Sequence, residues 1–111
     1  GCIMYVKGAT LTSGGNTTTA IGGSPTASSP GTEQFGIQVR ATGGAGASVA
    51  PYSTNSSYAD AFNATTQDDI AQSTGPSGTT TYTIYYLANI DPTTEAGSYA
   101  TTLTYTVVGS F

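Results

Sequence analysis

Few side chains in this sequence are suited to chemistry. It contains no histidine and one cysteine, and six carboxylates stand against two cations. Without histidine the chain lacks the usual general base and the commonest transition-metal ligand. A single cysteine cannot form an internal disulfide or supply paired thiolates to zinc. The sequence therefore predicts a protein that is not an enzyme and that has no cofactor.

The nearest approach to a reactive cluster is a group of acidic residues in the middle of the chain. Asp60, Asp68 and Asp69 are the only carboxylates spaced closely enough to work as a pair in glycoside cleavage. With Asn63 they could instead supply oxygen ligands to calcium, although EF-hand spacing is absent. A solvated acidic loop explains the same residues. We therefore predict no metal, and keep these three aspartates as calcium candidates.

Other residues are candidates for covalent modification. Asn16, Asn55 and Asn63 each begin an N-glycosylation sequon, a triplet that chance readily produces in a chain so rich in Ser and Thr. Lys7, the sole lysine, is a candidate for an isopeptide bond to Asn89, of the kind that joins a buried lysine to an asparagine in surface β-sandwiches. A lysine extending from a strand end into solvent is the alternative.

Charge and hydropathy exclude several partners. The net charge is −4, and the only cations are Lys7 and Arg40. Two cations cannot build the basic patch that nucleic acid or an anionic membrane surface requires. No apolar run approaches the length of a membrane span, so no membrane insertion is predicted. The first residue is Gly1 rather than methionine, which favours a processed or excised chain. Cys2 is expected to be a small buried hydrophobe or to bond another chain.

Alternation of apolar and polar residues predicts the strands. The pattern has period two in Cys2–Lys7, Phe35–Ala41, Thr79–Ile90 and Tyr99–Val108. Glycine-rich turn signals separate these segments, and Gly14-Gly15-Asn16 is one of them. Ala59–Ala71 is the one candidate helix, and Asn and Thr residues interrupt it.

Short strands with turn signals between them predict an all-β fold. We expect a single β-sandwich of immunoglobulin-like or pilin-like type, with six to eight short strands over residues 1–111. The domain is either complete or lacks N-terminal strands that a neighbouring subunit supplies. The residues expected in the core lie on the apolar faces of the best strands: Phe35, Ile37, Val39, Tyr82, Ile84, Tyr86, Leu103 and Tyr105.

Two segments resemble bacterial surface proteins. "DPTTEAGSYATTLTYTV" (Asp91–Val107) resembles the ending of fimbrial subunits in the spore coat U and archaic chaperone–usher pilin group. "GATLTSGGNT…SPTASSPGTEQFGIQVRA" (Gly8–Ala41) is similar to domains in predicted bacterial cell-surface proteins, which end on "AGxYxTTLTYT". These resemblances imply an extracellular, cell-surface location.

Low charge and abundant Thr and Tyr suit a surface that packs against copies of itself. We therefore predict a structural subunit of a pilus, fibre or surface layer, a homopolymer formed by β-strand addition. The residues expected in the assembly strands are Cys2, Val6, Tyr99, Leu103, Tyr105 and Val107. Two alternatives remain open: a passive stalk domain of a larger surface protein, or an adhesin that binds a glycan or surface through Tyr52, Tyr58 or Tyr85.

Overall fold

The structure, a computed structural model, describes residues 1–54, 56–60, 65–76 and 78–109. These residues form strands and loops, with eight strands in the described part of the chain. The strands are β1 (Cys2–Lys7), β2 (Thr12–Ser13), β3 (Asn16–Thr17), β4 (Gln34–Gly43), β5 (Ala47–Ser48), β6 (Asp68–Ser73), β7 (Thr80–Asn89) and β8 (Thr104–Gly109).

The strands pair into two main sheets and a small hairpin. One sheet has four strands in the order β5-β6-β1-β8, the other consists of β4 and β7, and β2 pairs with β3. All of these pairs are antiparallel. The hairpin turns at Gly14, whose φ of 59° suits a residue without a Cβ, as the sequence predicted. The predicted all-β sandwich is confirmed.

Strand β1 lies in the middle of the four-stranded sheet. It pairs with β6 on one side and with β8 on the other, from Cys2 onward. Alternation turns Val6 into the core, where it is fully buried, and leaves Lys7 exposed. The first strand is therefore an interior strand of its own sheet.

Strands β4 and β7 form a long ladder, in segments that the sequence predicted as strands at Phe35–Ala41 and Thr79–Ile90 without predicting that they pair. Their register runs without a shift from Gln34 opposite Asn89 to Gly43 opposite Thr80. On its other side β4 is covered by main chain, because Ile37 exchanges hydrogen bonds with Ala59 and the Val39 N–H donates to the Tyr52 carbonyl. In the described residues, β7 has no strand on its other side.

The core lies between the two sheets and is fullest beneath β4. Its buried members are Val6, Phe35, Ile37, Val39, Tyr52, Ala59, Ile70 and Ala71. Tyr82, Ile84, Leu103 and Tyr105 pack against this cluster and are partly buried. The expected burial of Tyr86 is wrong, since its side chain is 55% exposed. It lies on the inner face of β7, but near the side where the sandwich is open.

The predicted helix at Ala59–Ala71 is also wrong in the part that the structure describes. Asp68–Ser73 is strand β6, hydrogen-bonded to both β1 and β5. Ala59 bridges Ile37 in extended conformation. Residues 61–64 lie outside the described part of the chain.

The last predicted strand is shorter than expected. Strand β8 begins at Thr104, whereas the alternating pattern predicted a start at Tyr99. Before β8 the chain lies against the β2 strand, where Ala100 exchanges main-chain hydrogen bonds with Thr12 and Gly97 is close to Ser13.

Candidate assembly surface

Two strands at the same side of the sandwich have an unpaired edge. Strand β8 pairs only with β1, and β7 pairs only with β4, within the described ranges. They face each other across the sandwich, because the Tyr86 hydroxyl of β7 and the Tyr105 hydroxyl of β8 are hydrogen-bonded. We call this side the seam: the two unpaired edges and the groove between them.

The groove of the seam is mostly apolar. It has a volume of about 340 Å³ and is lined by Leu11, Phe35, Tyr86, Thr101, Leu103 and Tyr105. Phe35 is a core residue, so the groove reaches from solvent to the core. On the other side of the sandwich, main chain from residues 52 and 59 covers β4, and no such cover lies over β7 in the described structure.

The large exposed hydrophobic side chains of the described residues all belong to these two strands or adjoin them. On β7 they are Tyr85 (43% exposed) and Tyr86 (55%), followed by Ile90 (65%) just after the strand. On β8 they are Val107 (62%) and Val108 (49%). Single exposed hydrophobic residues are ordinary. By strand alternation Tyr86 and Val107 lie on the inner faces of their strands, and Tyr85 and Val108 lie on the outer faces. The inner pair adjoins the space between the sheets and indicates an interaction surface there.

Neither edge carries the features that usually prevent edge-to-edge pairing. The β7 sequence TTYTIYYLAN and the β8 sequence TYTVVG contain no charged residue and no proline. Proteins commonly place lysine, proline or a bulge on an exposed edge, because its free N–H and C=O groups can pair with another chain. The seam is therefore both apolar and open to main-chain pairing.

A hydrogen-bonded pair of tyrosines lies at the seam. Burial raises the pKa of Tyr105 well above its ordinary value of 10.0, and the hydrogen bond with Tyr86 raises it further. A raised pKa in an acid favours the neutral form, so the Tyr105 phenol stays protonated throughout the neutral pH range. The pair joins the two sheets at the seam with a neutral hydrogen bond.

The predicted assembly residues are placed differently by the structure. Cys2 and Val6 lie in β1, whose two edges are both paired within the chain, so Cys2–Val6 offers no free edge. Tyr99 lies before β8, and its hydroxyl donates to the Glu95 carbonyl. Leu103 and Tyr105 line the groove, and Val107 is exposed on β8.

The three candidate calcium ligands point to different places. Asp60 is buried and accepts a hydrogen bond from the Gly22 N–H, and burial raises its pKa. Asp68 accepts a hydrogen bond of 2.8 Å from the Tyr52 hydroxyl, while Asp69 is exposed. Among the described residues no three Asp, Glu, Cys or His side chains lie close enough to hold a metal ion. Asn63 lies outside those residues.

The structure gives little support to the candidates for covalent modification. An isopeptide bond needs a buried, neutral lysine, but Lys7 is exposed at the end of β1. The amide nitrogen of Asn89 is already used, since it donates to Gln34 at 2.9 Å and to Ser28 at 3.1 Å. The exposure of Lys7 and the hydrogen bonds of Asn89 count against the predicted Lys7–Asn89 bond, which stays a prediction.

Of the three sequons, only Asn16 lies in the described residues; Asn55 and Asn63 fall outside them. Asn16 is half-buried at the start of β3, and Cys2 is a half-buried free thiol. Of the three tyrosines considered for ligand binding, Tyr52 is fully buried and Tyr58 is half-buried. Only Tyr85 is exposed, which leaves it as the one candidate of the three.

A carboxylate that the sequence did not single out joins the β3–β4 loop to the β7–β8 loop. One oxygen of Glu33 accepts hydrogen bonds from the main chain and hydroxyl of Thr19, and the other accepts from Thr94 at 2.7 Å. Asp91 lies beside it and accepts from Thr93 at 2.8 Å. Hydrogen bonds from Thr94 and Thr19 lower the pKa of Glu33, and those from Thr93 lower the pKa of Asp91.

Comparisons of the chain with family models, with curated proteins and with solved structures give no match. No helix in the described residues has the length and apolar character needed to cross a bilayer. The seam is therefore the feature of the molecule that bears most directly on its function.

Proposed function

We propose that this protein is a structural subunit of an extracellular assembly, such as a pilus, fibre or surface layer, built from copies of itself. The observation that carries the proposal is the seam. It combines the unpaired edges of two strands, an uncharged sequence and the exposed hydrophobic side chains of Tyr86 and Val107 on the inner faces of those strands.

Strand addition is the form of contact that suits these edges. A strand from a neighbouring copy that pairs with β7 or β8 would satisfy N–H and C=O groups that now face solvent. Its side chains would cover Tyr86 and Val107, and the groove would receive apolar groups. Main-chain pairing contributes affinity, and the groove contributes selection among partners.

The type of contact decides the shape of the assembly. If β7 of one copy pairs with β8 of the next, the contact joins two different surfaces, and repeating it produces an open-ended chain of subunits. If each strand pairs with its own counterpart, the contact closes on itself as a dimer. A fibre or layer requires the first kind of contact.

The resemblance of Asp91–Val107 to fimbrial subunits points to the same function and to a cell-surface location. It rests on sequence motifs and is independent of the seam. The N-terminal strand does not serve as the donor in this proposal, since β1 is held in the centre of its own sheet.

The test is a matched pair of lysine substitutions on the outer face of the four-stranded sheet. Thr106→Lys places a charge on the edge strand β8, and Gln72→Lys places one on β6, whose two edges are paired. Both positions are exposed. Sedimentation velocity and negative-stain electron microscopy over a range of concentrations should show polymers for the native chain and for Gln72→Lys, and monomers for Thr106→Lys.

A native chain that stays monomeric at high concentration would contradict the proposal and favour a stalk domain. Equal polymerisation of the two lysine variants would also count against it, because the assembly contact would then lie away from β8. Circular dichroism of each variant checks that the comparison is made between folded proteins.

A further inference from the structure

The only arginine of the chain is held in a fixed position on the outer face of the β4–β7 sheet. The Nε atom of Arg40 donates to the side-chain oxygen of Gln38 at 2.8 Å. Its guanidinium carbon lies 5.2 Å from the centre of the Tyr85 ring. Gln38 is only 2% exposed, and its amide nitrogen donates to the Ser57 carbonyl at 2.9 Å. The buried side-chain amide of Gln38, whose oxygen and nitrogen are both hydrogen-bonded, therefore orients the exposed guanidinium of Arg40.

This cation has no counter-charge in the described residues, where no carboxylate forms an ion pair with Arg40. The protein as a whole carries a net charge of −4, so an oriented arginine without an ion-pair partner is unusual in this chain. Because the Nε–H group of Arg40 already donates to Gln38, the two terminal nitrogens of the guanidinium are the donors that can bind a ligand. That edge matches the two oxygens of a carboxylate, which can bind it end-on with two parallel hydrogen bonds.

The surroundings of Arg40 add hydroxyl groups and an aromatic ring. In the β4–β7 register Arg40 lies opposite Thr83 and Thr42 lies opposite Thr81, so these side chains share one face. All three threonines are exposed, and Tyr85 beside them is 43% exposed. Hydroxyl groups around a single cation suit a ligand that combines one negative charge with hydroxyls of its own. A polyanion would require more positive charge than this face has.

We propose that Arg40, Tyr85 and Thr83 form a binding site for a carboxylated sugar of the uronic acid class. The sugar carboxylate binds end-on to the terminal nitrogens of Arg40, and sugar hydroxyls bind the neighbouring threonine hydroxyls. The site lies on the outer face of its sheet, whereas the groove of the seam opens between the sheets. The inference does not depend on self-assembly.

The experiment is a titration of the full chain with glucuronate, followed by ¹H–¹⁵N spectra of the Arg40 side chain and of the backbone amides of β4 and β7. Glucose and acetate are titrated in parallel. We expect saturable shifts centred on Arg40 with glucuronate, weaker binding of acetate and none of glucose. The matched variants are Arg40→Gln and Lys7→Gln, each of which removes one exposed cation.

Arg40→Gln should abolish the shifts, and Lys7→Gln should leave the dissociation constant unchanged. Arg40→Lys should weaken binding by about tenfold, or ~1.4 kcal/mol, because an ammonium lacks the planar fork. Absence of saturable shifts overturns the proposal, as does equal loss of binding in the two Gln variants. Equal affinity for acetate and glucuronate overturns its assignment to a sugar.

Discussion

The two sides of this sandwich are built from similar strands, but they differ in how far the outermost strands are covered by other main chain. On the side of β4, main chain from residues 52 and 59 covers the strand, and Ile37, Tyr52 and Ile70 are fully buried. On the side of the seam, β7 and β8 end the sheets with no further strand beside them in the described residues, and Tyr86 and Val107 are more than half exposed. Apolar side chains therefore stabilise the fold on one side and are available for a partner on the other.

The largest expected effect of a single substitution is on the closed side. Ile37→Ala removes a fully buried side chain from the centre of β4 and should lower the free energy of unfolding by ~2–5 kcal/mol. Val107→Ala, on the open side, should change it by less than about 0.5 kcal/mol, as surface substitutions usually do. Urea denaturation of dilute, monomeric protein measures both. Similar losses for the two variants would show that the sides do not differ as described.

A smaller effect is expected for a buried hydrogen bond on the closed side. Tyr52→Phe keeps the ring in the core but removes the hydroxyl that donates to Asp68 at 2.8 Å. The loss should be about 1 kcal/mol, or somewhat more because Asp68 is charged. The control is Tyr86→Phe, which breaks the exposed hydrogen bond to Tyr105 and should cost less. If the order of these two losses is reversed, the seam tyrosines contribute more to stability than the core tyrosine.

Glu33 and Asp91 should make the fold less stable in acid, and Asp60, whose pKa is raised by burial, acts in the opposite direction. The pKa values of Glu33 and Asp91 are lowered in the folded protein from ordinary values of 4.5 and 3.8. A lowered carboxylate pKa stabilises the fold above the ordinary pKa, and this contribution is lost as pH falls through the folded pKa. Melting temperature should therefore fall on acidification below pH 4.5, and Glu33→Gln should flatten that fall. An unchanged dependence of melting temperature on pH in the variant would show that Glu33 does not contribute to it.

The sequence predicts those parts of the fold in which local pattern and tertiary pairing agree. In β4 and β7, apolar and polar residues alternate for most of the strand, so period two identifies the strands and the burial of Phe35, Ile37 and Val39. In β6 the alternation is broken by a bulge. Met4 pairs with Ala71 and Tyr5 with Asp69, so Ile70 is an extra residue, and the adjacent Ile70 and Ala71 are both buried. The sequence around Ile70 therefore lacks the period of two that identifies the other strands.

Other features arise only from contacts between distant segments. Tyr52 and Ala59 are in the core because main chain around them pairs with β4, and no local pattern marks them as buried. The sequence placed the terminal strand among the assembly strands, but it placed Cys2–Val6 there as well, which lies in the middle of its sheet. The second edge, β7, and the groove between the two follow from sheet order, which the sequence did not predict. The ordered Arg40 likewise depends on Gln38, whose burial comes from the loop at Ser57.

The central claim is that the edges of β7 and β8 are where copies of this protein meet. Hydrogen–deuterium exchange, compared between dilute monomer and concentrated assembled protein, tests it amide by amide. The account predicts that amides in Thr80–Asn89 and Thr104–Gly109 gain protection on assembly, while those of β1, already paired on both sides, change little. Protection gained elsewhere, with both edge strands unchanged, would contradict it.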